Sequence, residues 1–112
     1  MINYINRIFK PVDNSANGES TSETVFYYKQ AGNIVTAEYK GGSILYGHLI
    51  GLADSEGHIE MRYHQINTKQ ELMTGICESR PEILADGRIR IYETWKWTSG
   101  DFSSGYSVIE EI

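Results

Sequence analysis

The sequence predicts an all-β fold, a single up-and-down antiparallel β-barrel of about eight strands. Runs of about eight to ten residues rich in Ile, Val, Thr, Tyr and Trp recur along the chain, and a turn signal follows each run. No window of about eleven or more residues combines apolar residues at helical spacing with capping residues. Because most connections are too short for a crossover, consecutive strands should be antiparallel neighbours.

Turn residues divide the first part of the chain into strands. Pro11 ends the first strand, and a long loop rich in Asn, Ser, Gly and Thr follows it. Residues 31–33 connect the second strand to the third as a tight hairpin, and Gly41-Gly42 connects the third to the fourth. Residues 54–57 lead into the fifth strand, which therefore follows the fourth as its antiparallel neighbour.

The second part of the chain continues in the same way. Residues 68–70 precede the sixth strand, Pro81 ends it, and Asp86-Gly87 is the strongest two-residue hairpin signal in the chain. Residues 99–105 link the seventh strand to the eighth. The predicted strands are 2–10, 23–30, 34–40, 43–53, 58–67, 71–79, 88–98 and 106–110. Closure of this meander removes two unpaired edges and hides one apolar face, and the alternative is a β-sandwich of the same strands.

Charge and cysteine content exclude several classes of partner. The chain has 10 Lys and Arg against 15 Asp and Glu, and this net charge of -5 disfavours nucleic acid and anionic membranes. The single cysteine, Cys77, cannot form an internal disulfide, and the first ten residues hold no apolar segment of a signal peptide. We therefore expect one domain over residues 1–112 in the cytoplasm, without a cofactor.

Alternation within each strand predicts which side chains point into the barrel. In the seventh strand the apolar register is clear, because basic residues alternate with it. Both faces of the fourth strand are mostly apolar, so its register stays open, and Cys77 is expected on the outside. The inward residues predicted for the third, fifth, sixth and seventh strands are Val35, Ala37, Tyr39; Ile59, Met61, Tyr63, Gln65; Leu72, Thr74, Ile76, Glu78; and Ile89, Ile91, Glu93, Trp95, Trp97.

The predicted interior contains more polar and aromatic groups than a dry core prefers. An eight-stranded barrel is wide enough either to be filled by side chains or to hold one small ligand, and both interpretations stay open. Aromatic walls with a few convergent polar groups are typical of a binding cavity. The predicted ligand-binding residues are Tyr39, Tyr63, Trp95 and Trp97 as walls, with Gln65, Glu78 and Glu93 as orienting polar groups.

Three functions are compatible with the predicted barrel. The first is a binding module for a small, partly apolar molecule. The second is an enzyme on the same barrel, in which Glu93 and Glu78 serve as general acid and base. The third is a homodimer that pairs through the outward residues Arg88, Arg90 and Tyr92.

The histidines do not predict a metal site. His58 and His64 lie six residues apart on one strand, roughly 20 Å at the rise of a strand, which is too far for one ion. His48 on the neighbouring strand can approach His64, but no third ligand accompanies them.

Four segments carry a resemblance to a family of small bacterial proteins that are commonly labelled N-acetylglutamate synthase. The segments are FKPVDNSANGESTSETVFYY, GHLIGLADSEGHIEMRYHQIN, ELMTGICES and RIRIYETWKWTSGD, and the resemblance covers nearly the whole chain. The label implies acetyl transfer, an alternative function for the barrel. The pyrophosphate-binding string of acetyl-CoA acetyltransferases, Arg or Gln, any two residues, Gly, any residue, then Gly or Ala, does not occur in the sequence, so no catalytic residue is assigned from the label.

In architecture, the predicted meander resembles barrels of the avidin and lipocalin type. That resemblance implies a ligand held inside the barrel, although the Gly-x-Trp near the start of a typical lipocalin is missing.

Overall fold

Eight antiparallel strands form a closed barrel in the computed structural model, which describes residues 2–112. The strands are β1 (Arg7–Asn14), β2 (Val25–Ala31), β3 (Ile34–Gly41), β4 (Ile44–Ala53), β5 (Ile59–Asn67), β6 (Leu72–Ile83), β7 (Ile89–Trp97) and β8 (Ser104–Glu111). Each strand pairs with the next in the sequence, and β8 pairs with β1. The predicted up-and-down barrel is confirmed, and the sandwich is excluded. No helix among residues 2–112 is long and apolar enough to cross a membrane.

The two prolines do not end their strands, contrary to the prediction. β1 continues through Pro11, which pairs with Ile109, and β6 continues through Pro81, which pairs with Ile91. In the described strands, β1 beyond Phe9 has no partner on β2, and β6 beyond Ser79 has none on β5. Each proline therefore lies where its strand pairs with one neighbour only, and the missing N–H removes no hydrogen bond from the other side.

The N-terminal segment is not part of β1, although the strand was predicted to begin at Ile2. Asn6 adopts a left-handed conformation (φ 55°), which interrupts an extended backbone. The preceding residues fold over one end of the barrel, where Tyr4 is fully buried. Its hydroxyl donates a hydrogen bond of 2.6 Å to the carbonyl of Gly57, and its N–H donates one of 2.9 Å to Oε1 of Gln30.

This arrangement distinguishes the two ends of the barrel. The closed end carries residues 2–6 and the β2–β3, β4–β5 and β6–β7 turns. The loop end carries the long β1–β2 loop, residues 15–24, together with the β3–β4, β5–β6 and β7–β8 connections.

The inward registers predicted for β3, β5 and β7 are confirmed by burial, with Tyr63 half-buried and the rest buried. On β4 the open question is resolved: Gly47, Leu49 and Gly51 face inward, while Ile50 and Leu52 are exposed. A register shift between Ile44 and Tyr46 also turns Ile44 inward. The alternation of inward and outward side chains therefore changes phase at this shift.

The predicted register of β6 is wrong. Leu72, Thr74, Ile76 and Glu78 face outward, and the inward residues are Met73, Gly75, Cys77 and Ser79. Apolar content favoured the wrong face because, after Met73, the inner face of β6 carries only the small residues Gly75, Cys77 and Ser79. At Gly75 the space is filled by the Tyr63 ring from β5, so a larger side chain at this position would overlap that ring.

Candidate functional site

A cavity of about 60 Å³ lies inside the barrel at its loop end. One water molecule needs roughly 10–15 Å³ on the same measure, so this space holds a few water-sized groups or one small molecular fragment. The aromatic lining residues are Phe26, Tyr39, Tyr63, Trp95 and Trp97. Both tryptophans of the chain are therefore in the cavity wall.

Glycines on neighbouring strands make room for three of these rings. In the cross-strand register, Gly47 lies opposite Tyr39, Gly75 lies between Tyr63 and Trp97, and Gly105 lies opposite Trp95. A Cβ atom at Gly47 or Gly75 would overlap the ring of the tyrosine opposite, and one at Gly105 would overlap the Trp95 ring. The rings thus lie across the backbone of the next strand, which leaves space inside the barrel.

The rings form walls at steep angles rather than a single stack. The centroids of Tyr63 and Trp97 are 5.3 Å apart with planes at 71°, and those of Trp95 and Trp97 are 5.6 Å apart at 58°. Phe26 and Tyr39 form a separate stacked pair at 4.7 Å. Edge-to-face packing of this kind fixes the ring orientations before any ligand enters.

Gln65 supplies an amide at the cavity. The hydroxyl of Tyr39 donates a hydrogen bond of 3.0 Å to its Oε1 atom. Its buried Nε2 atom has no hydrogen-bond partner within the described chain. An unpaired buried donor costs about 1–3 kcal/mol, so an acceptor placed in the cavity would be stabilised there.

Glu93 places a carboxyl group in the same cavity, as the sequence predicted. Burial raises its pKa from 4.5 to about 8, because the charged form loses its hydration. Of the described residues that line the cavity, none is a Lys, Arg or His. Burial also raises the pKa of the Cys77 thiol and of the Tyr28, Tyr39 and Tyr63 hydroxyls, with the charge of Glu93 adding to each shift.

The β1–β2 loop covers part of the mouth of the cavity, which Gly18, Glu19 and Ser20 line. A chain of hydrogen bonds ties the loop to the wall. Nε1 of Trp95 donates to Oγ of Ser107 at 2.9 Å, which donates to Oδ1 of Asn14 at 2.6 Å. Nδ2 of Asn14 donates in turn to the carbonyl of Ser20 at 2.8 Å.

Further polar contacts hold the loop on the other sides of the mouth. Nδ2 of Asn67 donates to Oε1 of Glu19 at 3.0 Å, and Oγ of Ser43 donates to the Glu19 carbonyl at 2.9 Å. Nδ2 of Asn17 donates to the carbonyl of Ser104 at 2.8 Å. The loop is thus joined to the β3–β4 turn, to β5 and to β8 through hydrogen bonds.

All but one of the predicted ligand-binding residues lie together. Tyr39, Tyr63, Gln65, Glu93, Trp95 and Trp97 line the cavity, and their binding role stays a prediction. Glu78 does not line the cavity, because it faces outward. The predicted register of β6, which placed Glu78 inside, was wrong. Glu78 is exposed on the outer face opposite Glu60 and Thr94, so the predicted acid–base pair of Glu78 with Glu93 is wrong.

Sequence reasoning missed the residues that the loop and the small inner positions contribute. Asn14 and Glu19 fell in the predicted loop after the first strand, and Ser107 fell in the predicted strand 106–110, for which no inward register was assigned. Cys77 was assigned to the wrong face. Glycines inside strands were the available signal, because such a glycine indicates the close approach of another group.

The remaining candidates lie on the outside of the barrel. His48 and His64 are cross-strand partners with ring centroids 5.5 Å apart, and no group of three metal-ligating residues occurs among residues 2–112. Just before β7, Arg88 pairs with Asp86 and Glu110. On β7, Arg90 pairs with Glu110, and the hydroxyl of Tyr92 donates to Glu82 at 2.7 Å. A homodimer through these residues stays a prediction.

Comparison with known proteins gives one family. The model of the family described as "Avidin-like protein" matches residues 2–112. No curated protein and no solved structure matches the chain. The resemblance to an avidin-type barrel is confirmed, whereas the label N-acetylglutamate synthase finds no support.

Proposed function

The chain belongs to the avidin-like protein family, and from this premise we propose that its barrel binds a small, partly apolar molecule in the cavity at the loop end. The observation that carries the proposal is the set of glycines opposite Tyr39, Tyr63 and Trp95. They let large rings line the barrel without filling it, so preformed apolar walls surround an open space.

The polar groups supply orientation for such a molecule. The unpaired Nε2 of Gln65 would donate to an acceptor on the ligand, and Glu93 offers a second polar contact within the same cavity. Both residues are buried, so their hydrogen bonds would be shielded from water. The β1–β2 loop borders the route of entry, since Gly18, Glu19 and Ser20 form part of the cavity lining.

Intrinsic fluorescence tests the proposal directly, because both tryptophans line the cavity. We expect a panel of small neutral, anionic and cationic compounds to contain some that change the fluorescence and raise the melting temperature. At a ligand concentration about 100 times Kd the stabilisation is about 2.7 kcal/mol, which for a domain of this size shifts Tm by on the order of 10 °C.

Two substitutions at Cys77 localise the binding. Cys77 lines the cavity and is buried, so Cys77→Leu should fill part of the space and Cys77→Ala should keep it open. Ligands that bind the wild type should be retained by the alanine variant and lost by the leucine variant. Equal binding by both variants, or a panel in which nothing binds the wild type even by native mass spectrometry, would reject the proposal.

A further inference from the structure

We propose that the molecule bound in the cavity is a small organic cation, a methylated or quaternary ammonium compound, enclosed by the aromatic walls and the two carboxylates that line the cavity. This inference rests on the proposed function, since it assigns a chemical class to the ligand of the same site. It depends on the aromatic and acidic residues that line the cavity and on the absence of basic side chains among the described lining residues.

The charged groups at the cavity are all acidic. Glu93 lies within the barrel, Glu19 lines the cavity from the β1–β2 loop, and none of the described lining residues is a Lys, Arg or His. Asn67 donates a hydrogen bond to Oε1 of Glu19, which holds this carboxylate in place without neutralising it. An anionic ligand would be repelled by Glu19 and would oppose ionisation of Glu93, whereas a cation would be attracted by Glu19 and would favour the ionised form of Glu93.

The aromatic walls favour the same class of ligand. The face of an indole or phenol ring attracts a cation electrostatically, and the attraction increases when water is excluded. Tyr63, Trp95 and Trp97 present planes inclined at 58° and 71° to their neighbours, so a compact group between them would contact more than one ring. Methylated ammonium groups are compact and weakly hydrated, and enclosure by several rings is a known way to recognise them.

Among residues 2–112, no basic side chain lines the cavity to compensate the charge of Glu93 when it ionises. The titratable groups that face it are acids that are neutral near pH 7, from β2, β3, β5 and β6. The residues that β1, β4 and β8 contribute to the cavity lining do not ionise. The titratable groups are Tyr28, Tyr39, Tyr63 and Cys77. The residues that do not ionise are Asn14, Ile44, Leu49 and Ser107.

Cation binding should therefore release a proton. The pKa of Glu93, raised to about 8 by burial, means that the carboxyl is mostly protonated near pH 7 in the unliganded protein. A cation beside it favours the ionised form, so the proton leaves as the cation enters.

The position of the cavity inside the barrel, partly covered by the β1–β2 loop, favours a free small molecule over a headgroup attached to a larger one. Residues of the β1–β2 loop line the cavity and bond to β5 and β8 across the mouth. A ligand carried on a lipid or a peptide would have to leave its chain passing through this covering.

Choline and its carbon isostere 3,3-dimethylbutan-1-ol provide the test, because they share size and shape and differ in charge. Tryptophan fluorescence titrations should show that the wild type binds choline at least about tenfold more tightly than the isostere. Glu93→Gln should sharply reduce that preference, while Glu19 and the rings retain part of it. Glu78→Gln, which removes the same charge from the outer face, should retain it.

The pH dependence gives a second readout that needs no variant. The affinity of the wild type for choline should rise by up to about tenfold per pH unit from about pH 6 and level off above about pH 8. The affinity for the isostere should stay flat. If Glu93→Gln fails to fold, which circular dichroism would show, this profile and the choline-to-isostere ratio still decide the question.

Several results would overturn the inference. Equal binding of choline and the isostere would contradict the preference for a cation but would still show a binding cavity. Binding of a neutral or anionic compound, with neither choline nor the isostere bound, would have the same meaning. Binding of phosphatidylcholine vesicles without binding of free choline would reject a free cation. Absence of any choline signal would also reject it, and the compound panel with the Cys77 variants would then decide the proposed function separately.

Discussion

The same eight strands build two unlike halves of the barrel interior. Toward the closed end the inward side chains are mostly aliphatic or phenylalanine and almost wholly buried, among them Phe9, Val35, Ile91 and Ile109. Toward the loop end, rings lie over glycines, polar groups accompany them, and a cavity stays open. The difference teaches that the size of the residue opposite each ring, rather than the number of aromatic residues, decides whether a barrel of this width fills.

The largest expected effect is a pH dependence of the free energy of unfolding, which Glu93 causes from the half of the barrel that holds the cavity. Its pKa is 4.5 ordinarily and about 8 in the folded protein, so between these values the folded protein holds a proton that the unfolded chain has lost. The free energy of unfolding should therefore fall as pH rises through this window, by as much as about 5 kcal/mol, and level off above about pH 8. Urea unfolding at a series of pH values measures it.

Glu93→Gln separates this contribution from the other carboxylates. Glutamine does not ionise, so the variant should lose the decline and be more stable than the wild type above about pH 8. Glu78→Gln should behave like the wild type, because that side chain is exposed. A wild-type stability that stays flat or rises between about pH 5 and 8 would show that Glu93 is not held in a dry environment.

The closed half should respond most strongly to loss of side-chain volume. Ile91 is fully buried and pairs with Pro81 and Ile109 across the strands. We expect Ile91→Ala to lower the free energy of unfolding by roughly 3 kcal/mol, because the surrounding side chains cannot close the space. Ile50→Ala is the matched control on the outer face, where the isoleucine is 51% exposed, and it should cost less than about 1 kcal/mol. Equal losses would mean that the closed end is not the better packed half.

Gly75→Ala tests the close approach of ring and backbone that keeps the cavity open. In an ordinary strand this change would be neutral or stabilising, because glycine is the poorer strand former. Here the added Cβ would overlap the Tyr63 ring, so we expect a loss of about 1–3 kcal/mol and weaker ligand binding as the ring moves. In the Tyr63→Ala background the same change should cost almost nothing, which a double-mutant cycle would measure. Additive losses would indicate that the ring is not the obstacle.

The fold was predictable where local rules and burial agreed. On β7, basic residues alternate with isoleucine and tryptophan, so a single register buries the apolar face, and Glu93 follows it inward. Because short turns exclude crossover connections, the strands had to form a meander. Closure into a barrel was then expected because it removes the two unpaired edges of that meander. The prolines misled because a local rule about hydrogen bonds ignores where a neighbouring strand ends, as Pro11 and Pro81 show.

The cavity was predictable only in part, because its open space depends on contacts between strands. Alternation brought Tyr39, Trp95 and Glu93 inside, but it cannot tell whether a ring points to the middle of the barrel or lies over the next strand. That outcome depends on Gly47 and Gly105, and pairing them with rings requires the cross-strand register. On β6 the same coupling reversed the apolar pattern, which is why Glu78 was misplaced.

The smallest expected effect concerns the covering of the cavity. Asn17→Ala removes the hydrogen bonds from its Nδ2 atom to Oγ of Ser103 and the carbonyl of Ser104, which are exposed, so stability should change by less than about 1 kcal/mol. If the β1–β2 loop retains the ligand, the dissociation rate should nevertheless increase by up to about fivefold, since loss of about 1 kcal/mol from the covered state raises the opening rate by that factor. Stopped-flow tryptophan fluorescence measures this rate. Asn33→Ala, in the turn at the closed end, is the control that should leave it unchanged. An unaltered dissociation rate in Asn17→Ala would mean that the ligand leaves by a path that this loop does not cover.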